Sequence, residues 1–562
     1  MKLKSFTTKS GQTVILGKMT VFVGPNNSGK SQTLRDIRER MVDGQKSKPV
    51  IIDNFDFEIP TSVEECLEDI DVRDSNYNIA HKTISGLQYD LLSKDSRELY
   101  MPTLESELKK DTALNFILNN ISRYYVANLD SSTRLKLILT TASFNPTSDN
   151  PSNLLQALFL DKKNERILID AFNAAFNMDI KLDYSELISL CLRVAKKLPH
   201  LPDDPQQAYL ITRDLSKIDS QGDGFKSFVG IVLGLLFSKK RIILLDEPEA
   251  FLHPAQARFL GKWIVDNSDI FEGQILICTH NSNFLSGVLS SDKKVDIYRL
   301  NRTENVTHYN LLPPDATDKL SKSPILSSQR VVEGIFHKGV VVCEADADRA
   351  VYQSVASIEC NSNQEILFIH SHNKQTHKDV AKLLYDAKIP VALIADIDIF
   401  NGEADLKNIL DALGCNQDTR DLLLEQRGRI SNTVNMDDNI ILQNVIEKIK
   451  EFMQQLENNE HQLSGAKSAY KRIEKEFSSW KDIKEKGIIG FPAEIQDDVA
   501  SLINNLKLNG VFIVPVGELE GWIDVGVKRK NKWIIPALNK IHAGKSPEGL
   551  KTFIKEVLNY FE

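Results

Sequence analysis

Val21–Leu34 reads VFVGPNNSGKSQTL, and its reading decides the fold of the first half of the chain. Three apolar residues run into Gly24-Pro25-Asn26-Asn27-Ser28-Gly29-Lys30-Ser31, which satisfies G-x-x-x-x-G-K-[ST] at every fixed position. Gly24 and Gly29 let the backbone turn tightly, so that successive N–H groups point inward at phosphate oxygens. A helix beginning near Lys30 adds its positive end to the same cradle. Lys30 then reaches the β- and γ-phosphates of ATP and the Ser31 hydroxyl holds Mg²⁺, with Asn26, Asn27, Ser28, Gly29 and Gln32 completing the cradle. A merely structural Gly-rich turn would not call for a buried strand before it and a helix after it.

Working outward, 562 residues are enough for two to four domains, each with an ample core. A composition of 42% hydrophobic and 26% charged residues is that of an ordinary globular protein, which excludes a disordered or fibrous chain. No apolar run approaches the roughly 20 residues of a membrane span, and the opening MKLKSFTTKSGQT has no apolar signal region. The six cysteines (66, 191, 278, 343, 360 and 415) form no C-x-x-C pair, so a reduced, cytoplasmic protein without a zinc site is expected. A net charge of −8 argues against a uniformly basic nucleic-acid binder, but leaves room for a local basic channel.

Residues 2–8 and 13–16 alternate weakly and predict a short hairpin leading into the strand at 19–23. Ile121–Leu129 predicts another strand, followed by a polar turn and Arg134. From about 140 to 205 a helical insertion is expected, on spacings such as Leu154-Leu155-Leu158-Phe159 and Leu187-Leu190-Cys191-Val194. Within Leu215–Phe237, the turn Gln221-Gly222-Asp223-Gly224 opens a strongly apolar helix, and Ser220 and Asp223 are good capping residues for it. Arg241–Glu247, RIILLDE, then has the form of a Walker B strand. Asp246 at its end would hold Mg²⁺, and Glu247 would orient and deprotonate the attacking water. PEAFLHP follows, and about thirty residues later ILICTHN ends in Thr279-His280.

GPNNSGKS, QGDGFKS, LLDEPEAFLHP and the histidine of ICTHN, in this order, resemble the ABC-type ATPase head of DNA-repair and chromosome-organising ATPases, over residues 1–310. The resemblance implies that Gly222, Asp223 and Gly224 close over nucleotide on a second head's P-loop. It also implies that His280 senses the γ-phosphate, and hence that the protein is at least a dimer. Gly222 stands where the signature has its usual serine, and no glutamine-loop strand is evident.

A linker or connecting helix is expected over 313–335, and a second module over 336–562. Gly339–Val351, GVVVCEADADRAV, predicts a buried strand ending in Glu344, then Asp346 and Asp348, then a helix. Ile389–Phe400, IPVALIADIDIF, predicts a second strand ending in Asp396 and Asp398. Gly510–Val516 predicts a third, leading to Glu518 and Glu520. Strands alternating with helical stretches make a parallel α/β sheet, whose ligands gather at the carboxyl ends where these acids fall. Clustered carboxylates repel unless a divalent ion is bound, and Mg²⁺ or Mn²⁺ suits oxygen ligands. Glu344, Asp348, Asp396, Asp398 and Glu518 are the candidate ligands; helix caps and solvated loop acids are the alternative for any of them. Residues 415–505 form a long charged helical insertion, a solvated surface, a coiled-coil arm or a substrate clamp.

Glu after one strand and Asp-x-Asp after a later one resemble the TOPRIM fold of topoisomerases, primases and certain nucleases. The order, ATPase head and then TOPRIM, resembles the OLD (overcoming lysogenization defect) family of ATP-dependent nucleases, which includes the Gabija-type antiphage nuclease. Ala345 departs from the glycine common in that family. The resemblance implies a metal-dependent endonuclease in phage defence, with Glu344, Asp396 and Asp398 catalytic and Lys545 assisting. DNA is preferred as substrate to RNA. An RNA- or tRNA-cleaving fusion of PARIS type, with a phage-encoded trigger or companion protein, and a non-nucleolytic ATPase that binds nucleic acid are the alternatives.

Overall fold

The computed structural model describes residues 1–562 apart from 76–78, 201, 323–328, 359, 361–364, 372–373, 436–437, 458–462, 476–479 and 527–529. The chain folds into two units, Met1–Phe336 and His337–Glu562.

In the first unit we number β1 (Lys2–Thr8), β2 (Thr13–Ile15), β3 (Met19–Val23), α1 (Lys30–Asp43), β4 (Ile52–Glu58), β5 (Val126–Leu129), α2 (Ser131–Lys136) and α3 (Asp223–Leu236). There follow β6 (Ile242–Asp246), α4 (Pro254–Asp266), β7 (Gln274–Cys278), α5 (Ser282–Leu289), β8 (Asp296–Thr303) and β9 (Val306–Leu311). The main sheet runs β9-β8-β3-β7-β6-β5. All pairs are parallel except β8 with β9. MTVFV and QILIC are buried at every position, as expected of parallel strands covered on both faces. Register sets Phe22, Cys278 and Asp246 level across three neighbouring strands, so the residues that follow each one emerge together at one edge.

The expected hairpin forms from β1 and β2, but it lies in a separate sheet, where β1 also pairs with β4. Within Ile121–Leu129 only the last four residues are strand, because Ser122–Tyr124 is a turn of 3₁₀ helix. The segment 140–205 is not all helical. Leu154–Leu160 and Lys162–Phe176 are helices, but Asp179–Asp183 and Ser189–Ala195 are antiparallel strands. The helical spacing of Leu187, Leu190, Cys191 and Val194 misled because Leu192 and Arg193 are buried too, the arginine against Asp183 at 2.9 Å. Nor is 313–335 a free linker. Helices Pro314–Lys322 and Gln329–Glu333 belong to the first unit, where Ala316, Leu320, Val331, Val332 and Ile335 are buried. Residues 323–328 of that stretch lie outside the described residues.

In the second unit we number β10 (Gly339–Cys343), α6 (Asp346–Ile358), β11 (Ile366–His370), α7 (Lys374–Asp386), β12 (Val391–Ala395), α8 (Lys481–Lys486), α9 (Gln496–Lys507) and β13 (Val511–Ile513). The sheet is parallel throughout, in the order β11-β10-β12-β13. Between β12 and β13 the insertion is helical, with Gln417–Asn435, Asp438–Glu457 and Leu463–Lys475 preceding α8 and α9. The fold class is therefore α/β, as expected. Among the described residues no helix is long and apolar enough to cross a membrane.

Candidate functional sites

The P-loop needs its glycines. Gly24 has φ 141, and a Cβ there would lie 2.2 Å from the Leu300 carbonyl oxygen. Gly29, at φ 100, caps α1, and a Cβ there would lie 2.7 Å from Thr307 Oγ1. Lys30 Nζ donates to the carbonyls of Gly24 at 2.8 Å and Pro25 at 2.7 Å, and burial pulls its ammonium below the usual lysine range. Asn26 and Asn27 are exposed at the tip of the loop, while Ser28 is buried. Gln32 turns the other way. Its Nε2 donates to Asp36, whose carboxylate also takes the backbone N–H groups of Val50, Ile51 and Ile52, so Gln32 braces a neighbouring loop.

Ser31 Oγ donates to Asp246 Oδ1 at 2.9 Å, joining the P-loop to the end of β6. A hydroxyl beside a carboxylate is a donor set that suits Mg²⁺. Burial pushes the Asp246 carboxyl above its ordinary range, against the opposing pull of the Ser31 hydroxyl. His280 Nδ1 lies 3.2 Å from Glu247 Oε1 and 3.3 Å from Glu249 Oε1. Glu249 was not among the residues expected to act. It takes the backbone N–H of His280 at 3.1 Å, its other oxygen is buried with no hydrogen-bond partner among the described residues, and burial raises its pKa. The second glutamate of LLDEPE was its only signal in the sequence.

Gly222 and Asp223 are exposed at the start of α3. Gly222 is the N-cap and no side chain caps the helix, so neither Ser220 nor Asp223 has the capping part expected of it. Asp223 pairs instead with Lys226 at 3.2 Å. Gly224 packs where a Cβ would meet the Phe251 carbonyl at 2.8 Å. Among the described residues, no hydrogen bond joins Gly222–Gly224 to residues 24–31 of the same chain.

In the second unit Glu344, after β10, and Asp396 and Asp398, after β12, line one pocket together with His377, Lys378 and Asp405. Asp348 does not line it. Asp348 Oδ2 accepts the Ala345 N–H at 2.9 Å, the return half of a capping box at the start of α6. Lys545 does not line it either: it is exposed beyond the helix Lys530–His542. Besides Lys378, a second lysine, Lys484 on α8, lies 3.1 Å from Asp398 and 3.1 Å from Glu518. Two glycines allow this. A Cβ on Gly517, at φ 98, would meet the Lys484 carbonyl at 2.2 Å, and one on Gly487, at φ 67, the Pro515 carbonyl at 2.0 Å. Carboxylate oxygens suit a hard divalent ion. Yet among the described residues no three His, Cys, Asp or Glu side chains stand close enough together to hold one.

Residues 19–286 match the family described as "AAA domain, putative AbiEii toxin, Type IV TA system". None of the curated proteins matches the chain. Among solved structures, the chain is similar to the SMC head domain from Thermotoga maritima at 13% identity, over 56% of this chain and 100% of that one, with a TM-score of 0.29. It is similar also to the SmcHead bound to the C-winged helix domain of ScpA, at 12% identity over 57% and 100%, with a TM-score of 0.32. A third is the Smc head domain with an extended coiled coil bound to the C-terminal domain of ScpA derived from Pyrococcus furiosus, at 12% over 57% and 98%, with a TM-score of 0.30. The geometry of Lys30, Ser31 and Asp246 and the family match together make the first unit a P-loop ATPase domain.

Proposed function

We propose that the chain is an ATP-binding, ATP-hydrolysing, metal-dependent endonuclease that cleaves phosphodiester bonds of DNA in defence against phage. The observation that carries the nuclease part is the convergence of Glu344, Asp396 and Asp398 on one pocket at the carboxyl ends of parallel strands. In the first unit Lys30 and the P-loop amides hold the phosphates, Ser31 and Asp246 hold Mg²⁺, Glu247 orients water, and His280 faces the γ-phosphate. Because the chain carries one P-loop and one Gly222–Gly224 turn, a second copy supplies the turn that completes each site, and the protein works as at least a homodimer. A bound divalent ion in the second unit would neutralise charge at the scissile phosphate. Lys484 must part from Asp398 and Glu518 before those carboxylates can serve it.

The matched family's description names a toxin, and a second reading is a toxin of that kind in which a phage-triggered ATPase unleashes cleavage of tRNA or other RNA. The deciding experiment incubates purified protein with ATP and Mg²⁺ or Mn²⁺ on plasmid DNA and on total tRNA, with ATP turnover followed in parallel. Cleaved plasmid is expected. Cleaved tRNA alone selects the second reading, and turnover with neither substrate cut leaves the second unit a nucleic-acid-binding domain.

A further inference from the structure

Arg134, on α2, is completely buried. Its guanidinium donates from Nε to Ser227 Oγ at 2.8 Å, from Nη1 to the Asp246 carbonyl at 2.8 Å, and from Nη2 to the Glu247 carbonyl at 2.7 Å. We propose that Arg134 is a positioning residue that ties the first turns of α3 to the backbone carrying Glu247, so that a shift of α3 re-aims the Glu247 carboxylate. The inference rests on the ATPase reading and deepens it.

Three features separate this from a buried charge satisfied for stability alone. A buried arginine is ordinarily paired with a carboxylate; among the described residues this one has no ion pair, and its donors go to a hydroxyl and two main-chain carbonyls. Those carbonyls belong to the two residues assigned to Mg²⁺ and to water. Glu247 also has φ 47, a left-handed backbone that a non-glycine residue keeps only where its surroundings over-determine it. The planar fork of a guanidinium fixes several bonds in one geometry and so supplies that determination.

The other end of the link is built with equal care. Ser227 lies four residues after Asp223, about one helical turn along the face that begins at Gly222–Gly224. Gly230, less than a turn further, packs so tightly that a Cβ would lie 2.1 Å from the Arg134 carbonyl oxygen, and a Cβ on Gly234 would lie 2.6 Å from Leu129. α3 therefore rides directly on β5 and α2. A push on its exposed N-terminal turn reaches the Asp246 and Glu247 carbonyls through Ser227 and the Arg134 guanidinium.

The test measures ATP affinity, with a fluorescent ATP analogue, and turnover in full-length wild type, Ser227→Ala, Arg134→Lys, Glu247→Gln and the doubles of the first two with Glu247→Gln. Wild-type turnover that Lys30→Ala abolishes establishes the ATPase reading separately. Ser227→Ala should lower kcat about fivefold, the worth of one hydrogen bond. Arg134→Lys should lower it about 100-fold, as a misplaced catalytic group does. ATP affinity should stay within about threefold of wild type in both, and neither substitution should slow Glu247→Gln further. Wild-type kcat in both folded variants, a matching loss of ATP affinity, or additive losses on Glu247→Gln would each overturn the proposal. If Arg134→Lys does not fold, Ser227→Ala, which removes one bond and keeps the guanidinium's bonds to both carbonyls, decides it alone.

Discussion

Gly230→Ala adds one methyl group to α3, and the structure says where it goes. The new Cβ would stand 2.1 Å from the Arg134 carbonyl oxygen, 2.8 Å from its carbon and 3.1 Å from its Cα. All three are backbone atoms, so no side chain can swing aside. To reach the 3.4 Å of an ordinary contact, α3 must retreat from α2 by about 1.3 Å. In an exposed helix the change would be worth up to about 1 kcal/mol in the protein's favour, since alanine is the better helix former. Overpacking costs about 1–3 kcal/mol, so a net loss of about 1–2 kcal/mol is expected. For a unit of 336 residues that is a fall in Tm of about 1–3 °C. The same retreat would stretch the 2.8 Å bond from Arg134 to Ser227 toward 4 Å, beyond hydrogen-bonding range, so turnover should fall even in the folded fraction. Thermal melting, measured beside Gly222→Ala as a packing control with no atom within 4 Å of the added Cβ, and ATP turnover, measured beside wild type, test both parts. A Gly230→Ala protein that melts higher than wild type and turns over ATP normally would refute the packing argument and the link to Glu247 together.

Lys30→Ala should lose ATP binding, and Glu247→Gln should keep binding while slowing hydrolysis about 100-fold or more; equilibrium binding and phosphate release separate the two. Asp246→Asn should abolish Mg²⁺-dependent turnover yet raise Tm at pH 7, because burial holds the native carboxyl above its ordinary pKa. The penalty for ionising that buried group is full above the native pKa and absent below the unfolded value near 3.8, so the gain should shrink as pH falls through the native pKa and vanish below that unfolded value. Glu344→Ala and Asp398→Ala should abolish cleavage of nucleic acid and leave ATP turnover unchanged; full cleavage by either folded variant would end the nuclease assignment. Lys484→Ala should change stability by less than about 1 kcal/mol, since the side chain is 43% exposed. It should also tighten Mn²⁺ binding in calorimetry, and unchanged or weaker binding would show that the lysine does not compete for those acids.

Much of the first unit was legible in the sequence, because its elements announce themselves locally. A strand buried on both faces is an unbroken apolar run, and VFV, IILLD and ILIC are such runs. The phosphate loop that follows the first of them is spelled out residue by residue. The failures have a common cause. At Ser189–Ala195 the apolar residues fall at a helical period, but Arg193 is buried by its pair with Asp183, and the segment is a strand covered on both faces. At 313–335 a polar composition suggested a linker, although Ala316, Leu320, Val331 and Val332 are enough to dock two short helices. In both, tertiary contact decided what local pattern left open.

The candidate sites divide along the same line. Their acids were legible because a parallel sheet delivers whatever follows its strands to one edge, and that placement depends only on strand ends. Two of their cations were not, although Lys30 was. Lys484 reaches Asp398 across 86 residues of chain, and Arg134 reaches Glu247 across 113. Each depends on glycines whose task is close approach, Gly487 and Gly517 for the lysine and Gly230 for the arginine, and nothing in a single sequence says which carbonyl a glycine is making room for. The two cations differ in consequence as well. Arg134 is buried and bonds to backbone, so it can steer Glu247 only by moving a main chain. Lys484 is half-exposed and bonds to the side chains of Asp398 and Glu518, so it can leave them at little cost. A substrate phosphate entering that pocket is an anion where two carboxylates now hold one ammonium, and it would draw Lys484 toward itself and away from the acids. On the proposed nuclease reading, the group paired with Asp398 and Glu518 is thus one that a substrate phosphate itself attracts.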